Sequence, residues 1–286
     1  MPDRPNADPW HTADLDLGAY LDRVGLADLD PAAFEPDLLA LGALHEAHVR
    51  TFTFDNIDVL LEQHPGVGLA AVQEKFLGRG RGGYCFEHAT LFAAVLERLG
   101  YAVRRHLGRV DTGTDAIGAR THMTVAARVA GRWWLCDPGF GMSLIRPIPL
   151  SDGVEADHYG WRSRVAAAPE GWELHRLGDG GWQRLHSVDA LTVHPIDPVV
   201  GHHFTSTFPG SHFRSGLMVA RYLADRHVTL THESVTIRRA GEPTQRERVG
   251  PLELGGWLDV LEVPLTDDER TRLLARCADL SVGAGR

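Results

Sequence analysis

Apolar residues recur at helical spacing through the first hundred positions, and then the period changes. Leu17, Tyr20, Leu21 and Val24 share one helical face, and Gly25 follows as a stop. A second helix is expected to open near Pro36 and to carry Leu38, Leu39, Leu44 and His48; a third covers residues 69–77. A fourth runs over 85–99 with Phe86, Leu91, Phe92, Val95, Leu96 and Leu99 apolar and Gly100 at its end. Beyond Gly100 the pattern predicts strands over 101–110, 121–129 and 132–137, separated by glycine-containing turns, with more short strands through Leu191. Asp197-Pro198 reads as the opening of a loop, after which 203–213 and 215–220 read as extended. A last helix follows: Thr266 caps it, Glu269 sits three residues on, and Leu273, Leu274 and Cys277 form its buried face. The expectation is an α+β chain in three parts: a helical lobe over 1–100, a β lobe over 101–196 and a smaller α/β lobe over 197–286.

Charge narrows the partners. The 286 residues carry a formal net charge of −9, without the basic footprint that nucleic-acid binding needs. The opening MPDRPNADPW has no apolar core of a signal peptide, and no apolar run is long enough to span a bilayer. The three cysteines, Cys85, Cys136 and Cys277, are too few and too odd in number for a disulfide framework, and fit a reducing, cytoplasmic setting.

The densest chemistry lies at Arg81-Gly82-Gly83-Tyr84-Cys85-Phe86-Glu87. Two glycines permit a sharp turn into the helix, and a helix N-terminus presents free N–H groups and partial positive charge. A sulfur held there favours the thiolate, the attacking form, and the same N–H groups suit an oxyanion. The residues equally fit a small buried core cysteine at a helix start. Gly78-Arg79-Gly80-Arg81-Gly82-Gly83 spells G-x-G-x-x-G, but a helix rather than a strand precedes it, so a dinucleotide loop is not expected.

A nucleophilic cysteine needs a base and a group to orient the base. If Ala130-Gly131 is a two-residue hairpin loop, Val129 faces Arg132 and Thr124 faces Asp137. Alternation then puts His122, Thr124 and Asp137 on one sheet face, His122 diagonal to Asp137, and turns Cys136 to the other. A three-residue loop would place His122 and Asp137 on opposite faces. The competing reading is a solvated histidine and a turn aspartate before Pro138-Gly139. No metal site is expected: His45-Glu46-Ala47-His48 is one residue short of H-E-x-x-H, and His202-His203 would point apart in a strand.

Together these segments resemble the arylamine N-acetyltransferase family. Arg81–Glu87 matches its R-G-G-Y-C-F-E signature letter for letter, and Asp137-Pro138-Gly139-Phe140-Gly141 resembles its D-x-G-F-G segment. Thr121-His122, Phe54-Asp55-Asn56-Ile57-Asp58 and the stretch from Phe204 to Phe213 resemble further blocks, in order. The resemblance implies a helical bundle, a central antiparallel β-barrel and an α/β lid around a cysteine-protease-like core. It implies Cys85 as nucleophile, His122 as base and Asp137 as orienter, acetyl-CoA as co-substrate with no permanently bound cofactor, and a small aromatic amine as acceptor. Phe54 and Phe140 match acceptor-pocket positions, and Phe204 is the residue best placed by the resemblance to meet the coenzyme. Two other chemistries use such a triad: a macrolactam-closing amide synthase fed by a carrier-bound polyketide, and a cysteine hydrolase. A binding module that merely keeps the fold is the non-enzymatic alternative.

Overall fold

The computed structural model describes residues 8–114, 117–142 and 144–283. The first lobe contains α1 (Leu17–Arg23), α2 (Leu38–Thr51), the two-residue strand β1 (Phe54–Asp55), α3 (Ile57–Leu60), α4 (Leu69–Gln73) and α5 (Cys85–Arg98). Asp16 and Asp37 cap α1 and α2 by accepting the N–H groups of Ala19 and Ala40. The third expected helix divides: α4 ends at Gln73 and a π-helical turn, Glu74–Gly78, follows it. That turn buries Lys75 and Phe76 together.

Helix α5 is buried on every side from Cys85 to Leu96, its polar Glu87, His88 and Thr90 included. One continuous core joins it to Tyr20, Leu41, Phe52 and Phe76 on the helical side and to Leu107, Met123 and Val125 on the sheet side. Truncating so enclosed a ring as Phe92, with 0 % exposure, costs about 3–5 kcal/mol by cavity formation.

The second lobe is a nearly closed eight-stranded antiparallel sheet. Its strands are β2 (Ala102–Val110), β3 (His122–Val129), β4 (Arg132–Cys136), β5 (Ile148–Pro149), β6 (Glu155–His158), β7 (Trp161–Ala168), β8 (Gly171–Gly178) and β9 (Gly181–Asp189). They run in the order β5-β4-β3-β2-β9-β8-β7-β6. The β3–β4 loop is the two-residue one: Ala130 and Gly131 both have positive φ, 48° and 80°, as a type I′ hairpin requires. Val129 therefore faces Arg132, and Val125 faces Cys136.

The remainder contains α6 (Ile196–Thr207), α7 (His212–Ser215), β10 (Met218–Tyr222), β11 (His227–Thr231), β12 (Ser234–Arg238), β13 (Gln245–Arg248), α8 (Pro251–Val260) and α9 (Asp267–Gly283). Its five-stranded sheet takes β1 of the first lobe as an edge strand, in the order β1-β10-β11-β12-β13. Here the sequence expectation fails. Asp197-Pro198 opens no loop, and 203–213 is not extended. Asp197 Oδ2 accepts the N–H of His194 at 2.7 Å, and Pro198 sits in the first helical turn, where it lacks no needed donor. The hydroxyls of Thr205 and Ser206 donate to the carbonyls of Gly201 and His202, each at 2.8 Å, and so accommodate strand-favouring residues inside α6.

Candidate active site

Cys85 occupies the first position of α5, and the residues around it explain its sequence. Gly83 bridges to β1: its N–H donates to Thr53 O at 3.2 Å and its carbonyl accepts from Asp55 N at 2.7 Å. Gly82 lies so close to Thr53 that a Cβ there would fall 1.9 Å from the Thr53 carbonyl. Glu87 reaches back to accept the N–H of Tyr84 at 3.0 Å and closes the turn into the helix. Burial opposes its charge, but Lys75 and His64 overcome this and hold the carboxyl well below the usual range.

Arg81, only 1 % exposed, ties the loop before Cys85 to the rest of the chain. Its Nη2 lies 3.0 Å from Asp58 Oδ1 and its Nη1 3.2 Å from Glu269 Oε1 on α9. Lys75 Nζ bridges Glu87 Oε1 at 2.8 Å and Asp58 Oδ2 at 3.3 Å. Removing one member of a buried network of this kind leaves an unpaired charge and costs about 3–5 kcal/mol.

Cys85 lies beside the His122 ring, near enough to favour its protonated form. Its thiol also has the carbonyl of Thr121 at 3.4 Å. His122 Nε2 stands 3.0 Å from Asp137 Oδ1. With Nε2 committed to the carboxylate, Nδ1 is the ring nitrogen left for sulfur chemistry. Cys85, His122 and Asp137 are 3 %, 1 % and 0 % exposed. Burial opposes an imidazolium here, but the charge and hydrogen bond of Asp137, with Cys85 beside it, raise His122 to about 10. Burial likewise opposes the Asp137 carboxylate, and His122 and His186 outweigh it, holding the group far below the ordinary range.

His186 was not anticipated. It lies on β9 with its Nε2 2.9 Å from Asp137 Oδ2, and its ring centroid is 4.5 Å from that of His122. The signal available in the sequence was alternation: His186 and Val188 are buried on one face of β9. His122, Asp137 and His186 bring donor atoms within 4.8 Å of one another, the residue types of a metal site. A carboxylate only accepts hydrogen bonds, so each Nε2 facing it carries a hydrogen, which is the state of a hydrogen-bonded relay rather than of a ligated metal.

Aromatic rings border the relay. Phe140 stands edge-on to His122 at 5.1 Å. Phe54 is 6.1 Å from Phe213 and lies against Gly141. His227 donates from Nε2 to the Gly141 carbonyl at 2.8 Å; burial holds this imidazole down to about 3, so it stays neutral. Phe204 is not brought to the cysteine. It is 40 % exposed on α6 and stacks on Phe208. The ring of that segment that reaches inward is Phe213, which is 8 % exposed and 5.5 Å from Tyr84. His202 and His203 share helix α6 rather than a strand; His202 meets His64 and the Tyr84 hydroxyl.

Behind Phe140 and Gly141, Met142 lines a cleft of about 700 Å³ between the barrel and the C-terminal sheet. Arg176, against Met142, and Arg238 also line it. Burial lowers the basicity of both guanidiniums, and the charge of Arg176 lowers Arg238 further. Among the described residues neither forms an ion pair with a carboxylate.

A family model described as N-acetyltransferase matches residues 37–259. An arylamine N-acetyltransferase of Mycolicibacterium smegmatis is 37% identical over 238 residues, which cover 79% of this chain and 84% of that protein. The solved arylamine N-acetyltransferase of Mycobacterium abscessus superposes with a TM-score of 0.87 at 32% identity, over 97% of this chain and 99% of that one. The Mycobacterium marinum enzyme, solved in complex with CoA, gives 0.84 at 32% identity, over 93% and 99% of the two chains.

Proposed function

The chain belongs to the arylamine N-acetyltransferase family, and from that premise we propose that it transfers acetyl from acetyl-CoA to aromatic amines, hydrazines and N-hydroxyarylamines through an acetyl-Cys85 intermediate. The observation that carries this reading is the buried cluster of Cys85, His122 and Asp137, in which the Asp137 carboxylate holds the imidazole and Cys85 lies beside it. The thiolate attacks the acetyl carbonyl, and the first-turn N–H groups of α5 face the oxyanion. As the intermediate collapses, the bond to the CoA sulfur breaks and His122 supplies that sulfur with a proton. The amine then attacks the thioester, His122 takes the amine's proton, and Cys85 departs as thiolate.

Phe54, Phe140 and Phe213 form an aromatic wall suited to an aryl acceptor. The three unpaired thiols fit a reducing compartment, the cytoplasm, and small foreign amines are the expected substrates. The described residues include no helix long and apolar enough to cross a membrane. The relatives favour this reading over a macrolactam-closing or hydrolytic one.

Intact mass after mixing with acetyl-CoA should rise by one acetyl group, and reciprocal plots at several fixed amine concentrations should be parallel. Intersecting lines without an acetylated species would replace the acyl-enzyme with direct transfer.

The cleft carrying Arg176 and Arg238 suits the phosphates of the donor. Arg238→Ala should raise KM for acetyl-CoA about tenfold, the size of one charge-assisted contact. Turnover with p-nitrophenyl acetate, a donor without phosphates, should stay unchanged. Equal losses with both donors would remove the cleft from donor binding.

A further inference from the structure

The Asp137 carboxylate serves two histidines, and the triad accounts for one of them. Oδ1 takes His122 Nε2 at 3.0 Å and Oδ2 takes His186 Nε2 at 2.9 Å. The three side chains come from different strands or their ends. His122 begins β3, Asp137 follows β4, and His186 lies on β9, which joins β3 through β2: Gly108 faces His122, and Val110 faces His186. Phe140 packs on both imidazoles, at 5.1 Å and 5.0 Å.

The tautomer of His186 follows from its surroundings. The carboxylate oxygen accepts only, so Nε2 must hold a hydrogen. Nδ1 is buried and, among the described residues, has no hydrogen-bond partner. Burial, then the neighbouring charge of His122, disfavours a second proton. His186 is therefore a neutral ring with Nε2–H fixed on Asp137 and a bare Nδ1 beneath Phe140. Leaving a buried polar atom unpaired is costly, and an apolar residue of similar shape would avoid that cost. What the histidine adds is one hydrogen bond to the orienting carboxylate.

We infer that His186 is a positioning residue for acyl transfer: by donating to Oδ2 it fixes the plane of the Asp137 carboxylate and shares its charge, so that His122 keeps Nδ1 toward Cys85 and releases its proton to the leaving sulfur. The inference rests on the acyl-cysteine reading of the site. The physical argument is one of competition. A carboxylate with a second donor has less negative charge to offer the first. Without His186, Asp137 can rotate about its side-chain bond, and it holds the His122 proton more tightly. The titratable groups facing His122 are Asp137 after β4, Cys85 on α5 and His186 on β9. The sign follows: losing the second donor moves the loss of the His122 proton to higher pH and makes the imidazolium a weaker acid.

Three variants separate this role from simple packing. His186→Gln keeps an N–H at the reach of Nε2. His186→Asn stops about one bond short, and His186→Phe fills the space without a donor. Single-turnover acetylation of Cys85 by acetyl-CoA, followed by intact mass, is the readout across pH, with near-ultraviolet circular dichroism as the check of folding. At neutral pH the Asn and Phe variants should acetylate about 10–100-fold more slowly, with the alkaline limb moved upward. The Gln variant should stay within about threefold of the parent, with its limb in place. Equal rates in the Asn and Gln variants, or an unmoved limb in a folded slow variant, would overturn the inference; the Asn and Gln pair decides even where Phe fails to fold. Failure of the underlying reading shows separately, because the parent protein itself would then gain no acetyl group.

Discussion

Cys85→Ala should leave a folded protein that takes up no acetyl group from acetyl-CoA and turns over arylamine at least about 10⁴-fold more slowly. The size follows from the role: a nucleophile that divides one difficult transfer into two easier ones has no replacement when its sulfur is gone. Neither remaining cysteine is placed to substitute. Cys136 is 0 % exposed on β4, its thiol directed at the Trp134 carbonyl, and burial pushes it well above its ordinary range. Cys277 packs in α9 against Leu254, Leu258 and Leu273 in the core of the C-terminal sheet, and burial pushes it up to about 11. Iodoacetamide at mildly acidic pH should accordingly label the parent protein at Cys85 alone, with loss of activity, and prior acetylation should protect it. Acetylation of the Ala variant at the parent rate, or inactivating label on Cys136, would move the nucleophile elsewhere.

The Cys85 segment was legible because its requirements are local. Gly82 is small because Thr53 presses on it, Glu87 recurs three residues after the cap it serves, and the cysteine begins a helix. The His122–Asp137 pair was legible for a different reason: a two-residue loop fixes the parity of a hairpin, and Ala130-Gly131 supplied one. Two things escaped. His186 lies 49 residues beyond Asp137, on a strand whose neighbour is β2, and hydrophobic alternation gives the buried face of a strand but not its partner. Helix α6 escaped because His, Phe, Thr and Val suggest a strand, while back-bonding hydroxyls and the apolar contact of Gly201 with Phe86 make a helix workable. On that helix Phe204, the ring the resemblance assigns to the coenzyme, lies on the outer surface at 40 % exposure, and Phe213 is the ring of the segment that packs beside Tyr84.

Asp137→Asn should slow Cys85 acetylation by about 10²–10⁴-fold while the protein stays folded. The loss is larger than an exchange of one atom suggests, because both carboxylate oxygens accept from an N–H: His122 Nε2 at 3.0 Å and His186 Nε2 at 2.9 Å. An amide has one acceptor and one donor. Whichever way it turns, its NH₂ meets a ring N–H, and that ring must change tautomer or lose the contact. If His122 changes, its hydrogen moves to Nδ1 and the nitrogen facing sulfur can no longer take the amine's proton. The pH dependence gives an independent check with a definite sign. Asp137 is the chief cause raising His122, from 6.5 to about 10, against the opposing effect of burial. Because the folded value lies above the unfolded one, that stabilisation of the imidazolium is complete below about pH 6.5 and is lost as pH rises through about 10. Without the carboxylate's charge, burial prevails and the alkaline limb of the acetylation profile should fall, opposite to the rise expected when His186 loses its donor. Single-turnover rates measured from pH 5 to about pH 10 distinguish the two. An Asn variant that is folded, slow and unshifted would show Asp137 to act through packing alone, and one with near-parental rates would remove it from the mechanism.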